Sequence, residues 1–433
     1  MYARRIGMRC SAASLLMLAV LLCFPTDCLT AASRPLNGDQ VLEQGIAVQM
    51  EEKAYHIVAL GDSISAGYEP GMDESSMPYG YVERLREQGL YYGRTKVHNY
   101  GILGLTSSGL KNYVSAIQEG RAIRPEAIQH GLPDPRISAF AAGIADTRAA
   151  LEQADLITIT IGGNDLSSLL TEIESYTADE LEVKGRELLD IYTINVREVI
   201  DHLLLINPGA QIILMDQYQP VPKMIVGSAY KYLESAADTF TAAVEELVSK
   251  YASNGKQVKA GHVAQAFKGR EIALTHIFPG GDIHPNQAGY EAIAKVVAEE
   301  VWGSYHMNDA LEEGIPVHVI VKGEKLKTPH APVLRQNQTF LPLRDITEAI
   351  GASAAWDSHS STATVTYGGR TIVIPIGSGS IVANGEPVAA SSPAFLHRIG
   401  QESKAYVPLA LLAQGLGLDV QYSEKTKTVF INL

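Results

Sequence analysis

A serine that follows a short apolar run is the first residue whose position suggests chemistry. Residues 57–60, Ile-Val-Ala-Leu, are typical of a buried strand, and Gly61 permits a sharp turn after it because it has no Cβ. Ser63 then lies just beyond the carboxyl end of the predicted strand, where open α/β sheets place their ligands. A serine hydroxyl needs a base within hydrogen-bonding distance to act as a nucleophile. The segment around Ser63 alone fits a nucleophile or an ordinary turn.

A candidate base lies in "GGDIHPNQAGY", residues 280–290. His284 falls in a loop bounded by Gly and Pro, directly before a predicted helix that Asn286 could cap. Asp282 could accept the Nδ1–H of His284 and so fix its tautomer and orientation. In the alternative, Asp282 faces solvent and a backbone carbonyl orients the histidine. His276 is a less favourable base, since its surroundings lack the context of a strand end.

Two further segments offer hydrogen-bond donors for a developing oxyanion. "NYGILGLTSS" (99–108) follows a predicted strand and contains Gly104, whose backbone N–H a substrate can approach without obstruction. "ITIGGND" (159–165) contains a side-chain amide donor, Asn164, at another strand end. With the backbone N–H of Ser63, these donors are expected to converge on one edge of the sheet.

The elements that must position these residues alternate between short apolar runs and longer amphipathic segments from His56 to about Trp302. Near-continuous apolar strands that alternate with helices predict a parallel sheet covered on both faces. The predicted strands are "HIVAL", "KVHNY", "DLITITIG", "QIILM" and, with weaker signal, "QVKAGHV". Helices are predicted over 136–153, 185–206 and 286–301, and loops over 66–80 and 120–135.

Taken together, "GDSISAG", Gly104 within "NYGILGLT", "GGND" and "DIHPNQAGY" resemble the GDSL, or SGNH, hydrolase family, in the family's order. The resemblance covers about residues 53–303. It implies an α/β/α sandwich that hydrolyses carboxylic esters without a metal or cofactor. It also implies that Ser63 is the nucleophile, His284 the base, and Gly104 and Asn164 oxyanion donors.

The sequence departs from the family pattern at one position. The acid of the family often lies three residues before the histidine, and Gly281 occupies that position here. Asp282 lies two residues before His284, a spacing also seen in relatives. The G-x-S-x-G elbow of α/β-hydrolases is absent from the chain, which argues against that alternative fold.

After about residue 303 the chain contains an internal repeat. "FLPLRDITEAIGASAAWDSHSSTATV" (340–365) aligns without gaps with "YVPLALLAQGLGLDVQYSEKTKTVFI" (406–431). Each copy predicts a short helix, ended by Gly351 or Gly417, and then two short strands around a polar turn. Since one copy buries little core, the two are expected to pack together and to fold without the rest of the chain.

This tail, residues 315–433, resembles the stalk-type domain named after the N-terminal domain of copper amine oxidases, found on secreted and cell-surface proteins. The name does not imply copper, and no clustered His or Cys suggests a metal site here. The histidines of the tail are scattered and are interpreted as surface residues: His318, His330, His359 and His397.

The first 32 residues are typical of a secretory signal peptide. Arg4, Arg5 and Arg9 precede an apolar run over 11–24, which is short for a membrane span; an uncleaved anchor is the alternative. The chain's three cysteines all lie in residues 1–32, so the mature chain is expected to have no disulfide. The net charge of the full chain, −13, disfavours nucleic acid and anionic lipid as partners.

Two functions remain open from sequence. The first is a secreted or envelope-associated serine esterase, lipase-like or acting on carbohydrate acetyl groups, whose tail provides targeting to the envelope or substrate. The second is a catalytically silent surface protein that uses the same fold to bind a glycan or lipid. Neither the acyl nor the alcohol group of a substrate can be inferred, although short acyl groups are favoured.

Overall fold

The computed structural model describes residues 53–73, 75–166, 177–227, 230–390 and 392–433. The predicted leader, residues 1–32, lies outside the described residues. All described residues belong to one compact unit. No helix within these ranges combines the length and hydrophobicity required to cross a bilayer.

A five-stranded parallel sheet forms the centre of the first part of the chain. Its strands are β1 (Tyr55–Gly61), β2 (Thr95–Gly101), β3 (Leu156–Thr160), β4 (Gln211–Met215) and β5 (Val258–Gly261). They lie in the order β2-β1-β3-β4-β5, and every neighbouring pair is parallel. The chain passes from β1 to β2 on one side and later returns to β3 on the other. This reversal opens a crevice at the carboxyl end of β1, where such sheets bind ligands.

Helices cover both faces of this sheet, which confirms the predicted α/β/α sandwich. They are α1 (Ser63–Ala66), α2 (Tyr81–Leu90), α3 (Ser107–Glu119), α4 (Pro125–Ile128), α5 (Ile137–Ala142), α6 (Ile144–Gln153), α7 (Ala178–Ile206), α8 (Lys223–Val226), α9 (Tyr230–Ser253), α10 (Val263–Phe267), α11 (Glu271–Leu274) and α12 (Gln287–Trp302).

Alternate side chains of each strand enter the two cores. On β1, Val58 and Leu60 pack into the core beneath α3, α7 and α9, whereas Ile57 and Ala59 pack into the core beneath α2 and α12. All four side chains are fully buried. This double burial explains why β1 reads as a continuous apolar run rather than as an alternating pattern.

Two predicted helices differ from the observed ones. The helix predicted over 136–153 is interrupted at Gly143, which separates α5 from α6. Glycine inside a helix loses more conformational entropy than other residues, which favours a break at this position. The helix predicted over 185–206 begins earlier, at Ala178. Thr177 caps it, and the side chains of Thr177 and Glu180 form a capping box with each other's backbone N–H groups.

The tail is built mainly from antiparallel strands. They are β6 (His318–Val321), β7 (Glu324–Lys325), β8 (Val333–Arg335), β9 (Gln338–Pro342), β10 (Ser353–Asp357), β11 (Thr362–Tyr367), β12 (Arg370–Pro375), β13 (Ser380–Ala383), β14 (Glu386–Ala389), β15 (Phe395–Ile399), β16 (Glu402–Pro408), β17 (Asp419–Ser423) and β18 (Thr428–Asn432). Two helices accompany them, α13 (Leu343–Ile350) and α14 (Leu409–Leu416). The three sheets have the orders β10-β11-β12-β13-β14, β15-β16-β9-β8 and β17-β18-β6-β7.

The predicted repeat is present as two copies of one strand–helix–strand–strand unit. The first copy is β9-α13-β10-β11 and the second is β16-α14-β17-β18. Strands β9 and β16 pair antiparallel, with Leu341 opposite Val407, its counterpart in the other copy. An approximate two-fold axis therefore passes between these two residues. The apolar faces of both helices enter one common core, as expected from sequence.

The interpretation of all four tail histidines as surface residues is wrong for His318, which is buried on β6. Burial lowers the pKa of His318, the effect of burial outweighing those of nearby Asp309 and Glu312, which act in the opposite direction. His330 is half-buried, and its Nδ1 lies 2.8 Å from an Asp345 carboxylate oxygen.

Candidate active site

Ser63 lies at the first position of α1, immediately after β1. Gly61 makes the turn between them with φ of +136°, and a Cβ at this position would lie 2.0 Å from the Thr160 carbonyl oxygen. No residue other than glycine fits there. Asp62 caps α1 by accepting the Ile64 N–H at 3.1 Å. The sharp turn presents the Ser63 side chain at the carboxyl edge of the sheet.

The structure brings Ser63, His284 and Asp282 into one hydrogen-bonded row. Ser63 Oγ lies 2.9 Å from His284 Nε2, and His284 Nδ1 lies 2.7 Å from Asp282 Oδ1. The same carboxylate oxygen accepts the backbone N–H of His284 at 2.8 Å. A separation of two residues therefore suffices for the carboxylate to curl back onto the imidazole. Such a row allows a serine hydroxyl to pass its proton to an imidazole that a carboxylate orients.

The loop that carries His284 is fixed from several directions. The His276 N–H donates to the His284 carbonyl at 3.0 Å, and the Tyr218 hydroxyl donates to the Ile283 carbonyl at 2.9 Å. The Tyr68 ring lies edge-on to the imidazole, with centroids 4.7 Å apart. Two hydrogen bonds thus hold the backbone of the loop, and the Tyr68 ring packs against the imidazole.

His276, the less favourable candidate base, pairs with a different partner. Its Nε2 lies 3.0 Å from Glu69 Oε1, and Gln287 Nε2 donates to the other oxygen of Glu69 at 2.6 Å. Glu69 belongs to the predicted loop 66–80. The structure thus places His276 behind the His284 loop, where it links that loop to the segment after α1.

Gly104 and Asn164 lie in the loops that follow β2 and β3, on either side of Ser63. Gly104 has φ of +76°, and a Cβ there would lie 2.8 Å from Pro133 Cδ, so this position also requires glycine. Asn164 Nδ2 donates to the Leu105 carbonyl at 2.9 Å, which fixes the orientation of the carboxamide. The three predicted oxyanion donors therefore belong to adjacent strand ends.

A buried polar network beneath Ser63 was not anticipated from sequence. Ser65 Oγ donates to the Leu60 carbonyl at 2.9 Å and contacts the hydroxyls of Tyr81 and Thr160. Thr160 in turn donates to Asp62 at 3.0 Å. Burial raises the pKa of the Asp62 carboxyl to about 7, against the opposing effect of the hydrogen bonds it accepts from the Ile64 N–H and the Thr160 hydroxyl.

Two family models match the chain. The GDSL-like lipase/acylhydrolase family matches residues 59–292, and the copper amine oxidase N-terminal domain matches residues 320–431. A comparison with curated proteins found no match. Within the described ranges, no group of three or more His, Cys, Asp or Glu residues is arranged to hold a metal ion.

Solved structures similar to this chain include three bacterial or metagenomic enzymes. A lipase from a goat rumen metagenome is 22% identical over 56% of this chain and 96% of its own, with a TM-score of 0.39. An acetyl-xylooligosaccharide esterase from Geobacillus stearothermophilus is 19% identical over 59% of this chain and 100% of its own, with a TM-score of 0.37. A family 3 carbohydrate esterase from Clostridium thermocellum is 17% identical over 57% of this chain and 94% of its own, with a TM-score of 0.35.

Proposed function

The chain belongs to the GDSL-like lipase/acylhydrolase family and is a carboxylic ester hydrolase, and from this premise we propose that it works through Ser63, His284 and Asp282. The observation that carries the proposal is the 2.9 Å contact between Ser63 Oγ and His284 Nε2, with Asp282 2.7 Å from the opposite ring nitrogen. Each group is within reach of the next, as proton transfer requires.

In the proposed mechanism, Ser63 Oγ attacks the ester carbonyl carbon while His284 Nε2 accepts the hydroxyl proton. The Ser63 and Gly104 N–H groups and the Asn164 amide stabilise the oxyanion. His284 then gives the proton to the departing alcohol oxygen, which leaves an acyl group on Ser63. Water repeats these steps on the acyl-enzyme and releases the acid. Asp282 holds the imidazole and stabilises its positive charge in both halves.

The test compares turnover of a short-chain nitrophenyl ester by the wild type, Ser63→Ala and Ser75→Ala. Ser63→Ala should lower kcat by about a thousandfold or more, because no other group takes the acyl chain. Ser75 is exposed in the segment 66–80, where it hydrogen-bonds to Asp73, so its variant should match the wild type. A wild type without turnover that still binds a glycan or lipid would instead support the silent binding protein.

For the substrate, we propose esters with short acyl groups, either lipase-like substrates or acetylated carbohydrate. Exposed apolar side chains in the His284 loop, Phe278 and Ile283, support contact with an apolar acyl group. Rates with acetyl, butyryl and long-chain esters of one alcohol test this proposal. A preference for long chains would contradict it.

We also propose that the protein is exported and that its tail provides targeting to the envelope or to a polymeric substrate. The basic start and the apolar run over residues 11–24 support export. Retention of the full chain on isolated cell walls or insoluble polysaccharide, compared with a chain that ends near residue 306, tests the role of the tail. Equal retention of both would contradict it.

A further inference from the structure

The loop that carries Gly104 is held by a segment distant from it in sequence. We call residues 101–106 the Gly104 loop and residues 129–136 the supporting segment. The supporting segment lies at the end of the predicted loop 120–135 and just beyond it. Its side chains bond to the backbone of the Gly104 loop rather than to any side chain that the mechanism uses. This pattern is that of a support for backbone geometry.

The carboxamide of Gln129 bonds to two successive peptide groups of the Gly104 loop. Gln129 Nε2 donates to the Gly104 carbonyl at 3.0 Å. Gln129 Oε1 accepts the Thr106 N–H at 2.9 Å and the Thr106 hydroxyl at 2.8 Å. Since each peptide group is planar, fixing one of its polar atoms fixes the orientation of the whole group. One side chain therefore orients both the 104–105 and the 105–106 peptide groups.

The second of these peptide groups also holds Asn164. The Leu105 carbonyl, which accepts from Asn164 Nδ2 at 2.9 Å, belongs to the same peptide group as the Thr106 N–H. A rotation of this group would move the acceptor that orients Asn164. Gln129 is thus joined to Asn164 through one rigid peptide group.

On the other side of Gly104, Asp134 and Arg136 complete the support. Asp134 accepts the Leu103 N–H at 2.8 Å, and Arg136 donates to the Gly101 carbonyl at 2.9 Å. The peptide group that carries the Gly104 N–H therefore lies between one group held by Asp134 and another held by Gln129.

The approach of Gln129 depends on Gly109, in the first turn of α3. A Cβ on Gly109 would lie 2.5 Å from Gln129 Oε1, too close for the contact to form as observed. The absence of a side chain at Gly109 thus leaves the space that the Gln129 carboxamide occupies.

We propose that Gln129 is a positioning residue of the oxyanion hole, which holds the peptide group next to the Gly104 N–H and the peptide group that orients the Asn164 amide. This inference rests on the proposed function, because it concerns the donors that serve that reaction. Gln129 does not touch the substrate. It acts by keeping two donors in the geometry that the tetrahedral oxyanion requires.

Two substitutions in the full chain separate positioning from a purely structural role. Gln129→Leu removes all three hydrogen bonds at similar volume. Gln129→Glu keeps the acceptor for Thr106 but replaces Nε2 with an oxygen that cannot donate to the Gly104 carbonyl. Asn112→Ala is the matched control, because Asn112 Nδ2 donates to the Ile128 carbonyl, next to Gln129, rather than to the Gly104 loop.

Both Gln129 variants should lower kcat for a short-chain ester by about 10- to 100-fold and change KM by less than about threefold. In Gln129→Leu, which adds no charge, the midpoint of the pH profile of kcat/KM should not move, since Ser63, His284 and Asp282 are unaltered. In an Asn164→Ala background, Gln129→Leu should lower kcat by less than in the wild type, because part of its effect passes through Asn164. Asn112→Ala should keep the wild-type kcat.

Any of three results would overturn the inference. The first is a folded Gln129→Leu variant whose kcat is within about twofold of the wild type. The second is a double variant whose loss of kcat equals the product of the Gln129→Leu and Asn164→Ala losses, and the third is a loss of kcat in Asn112→Ala equal to that in Gln129→Leu. If Gln129→Leu does not fold, a wild-type kcat in Gln129→Glu overturns it. A wild type without ester turnover overturns the proposed function as well, whereas an active wild type with unaffected Gln129 variants overturns only the present inference.

Discussion

Asp62 lies directly before the proposed nucleophile, and in the structure it has a structural role. Its carboxylate caps α1 and accepts a hydrogen bond from Thr160, while 2% of the residue is exposed. An aspartate directly before a helix is a common capping residue, and the structure places Asp62 in that role. The burial of the Asp62 carboxyl could not be predicted from the sequence. Thr160 and the other walls around Asp62 come from elements far along the chain.

The buried carboxyl of Asp62 should make stability depend on pH. Its pKa rises from the ordinary 3.8 to about 7 in the folded protein. Between these values the folded state holds a proton that the unfolded chain has released, so stability falls as pH rises, then levels off above about pH 7. The fall amounts to about 4 kcal/mol. Asp62→Asn keeps an oxygen acceptor for both hydrogen bonds and should flatten this dependence.

The measurement is the thermal midpoint of the wild type and Asp62→Asn at pH 5 and pH 8. The wild type should lose more stability over this interval than the variant. Equal losses in both proteins would show that Asp62 does not titrate there.

At the scale of elements, the site depends on loops at the ends of three adjacent strands. The motifs around Ser63 and Asn164 were predictable, because each follows an apolar run that reads as a buried strand. Gly104 follows the edge strand β2, which is mostly half-buried and carries a weaker apolar signal. The support by Gln129 was not predictable, since glutamine in a loop carries no periodic or spacing signal. The start of α7 was available in principle from "TADE", in which Thr177 and Glu180 form the capping box.

Gly104→Ala should lower kcat by about 10²- to 10³-fold, the value of one oxyanion donor. The new Cβ would meet Pro133 Cδ at 2.8 Å in a backbone conformation that L side chains rarely adopt, so the loop must shift. Gly120→Ala is the control. Gly120 also has a positive φ, of +64°, but a Cβ there meets nothing within 4 Å. A similar loss of kcat in both variants would point to backbone strain rather than to the Gly104 donor.

At the scale of the whole molecule, the tail packs against α2. Leu90 of α2, Ile320 of β6 and Phe430 of β18 form a small buried cluster. Beside this cluster, the Ser423 hydroxyl donates to Glu87 at 2.5 Å. The predicted division at 53–303 and 315–433 stays a prediction. The repeat revealed the tail's own core, but sequence gave no signal for this junction, because its residues come from three distant segments.

Phe430→Ala should destabilise the protein by about 3–5 kcal/mol without changing kcat for small esters below the unfolding transition. Phe430 is 1% exposed and packs edge-on against Tyr91, with ring centroids 5.2 Å apart. Trp356→Ala is the control, since Trp356 is another aromatic residue of the tail but is 46% exposed. Thermal unfolding and initial rates at a low temperature measure both effects. A parallel drop in kcat would mean that the tail contributes to the site.

The central claim, that Ser63 is the nucleophile of an ester hydrolase, is tested most directly by covalent labelling. A fluorophosphonate reacts with an activated serine hydroxyl, and peptide mass spectrometry identifies the modified residue. We expect one adduct, on the peptide that contains Ser63. It should be absent from Ser63→Ala and formed far more slowly in His284→Ala, because the serine loses its base. An adduct on another residue, or equal labelling of Ser63 in His284→Ala, would contradict the account.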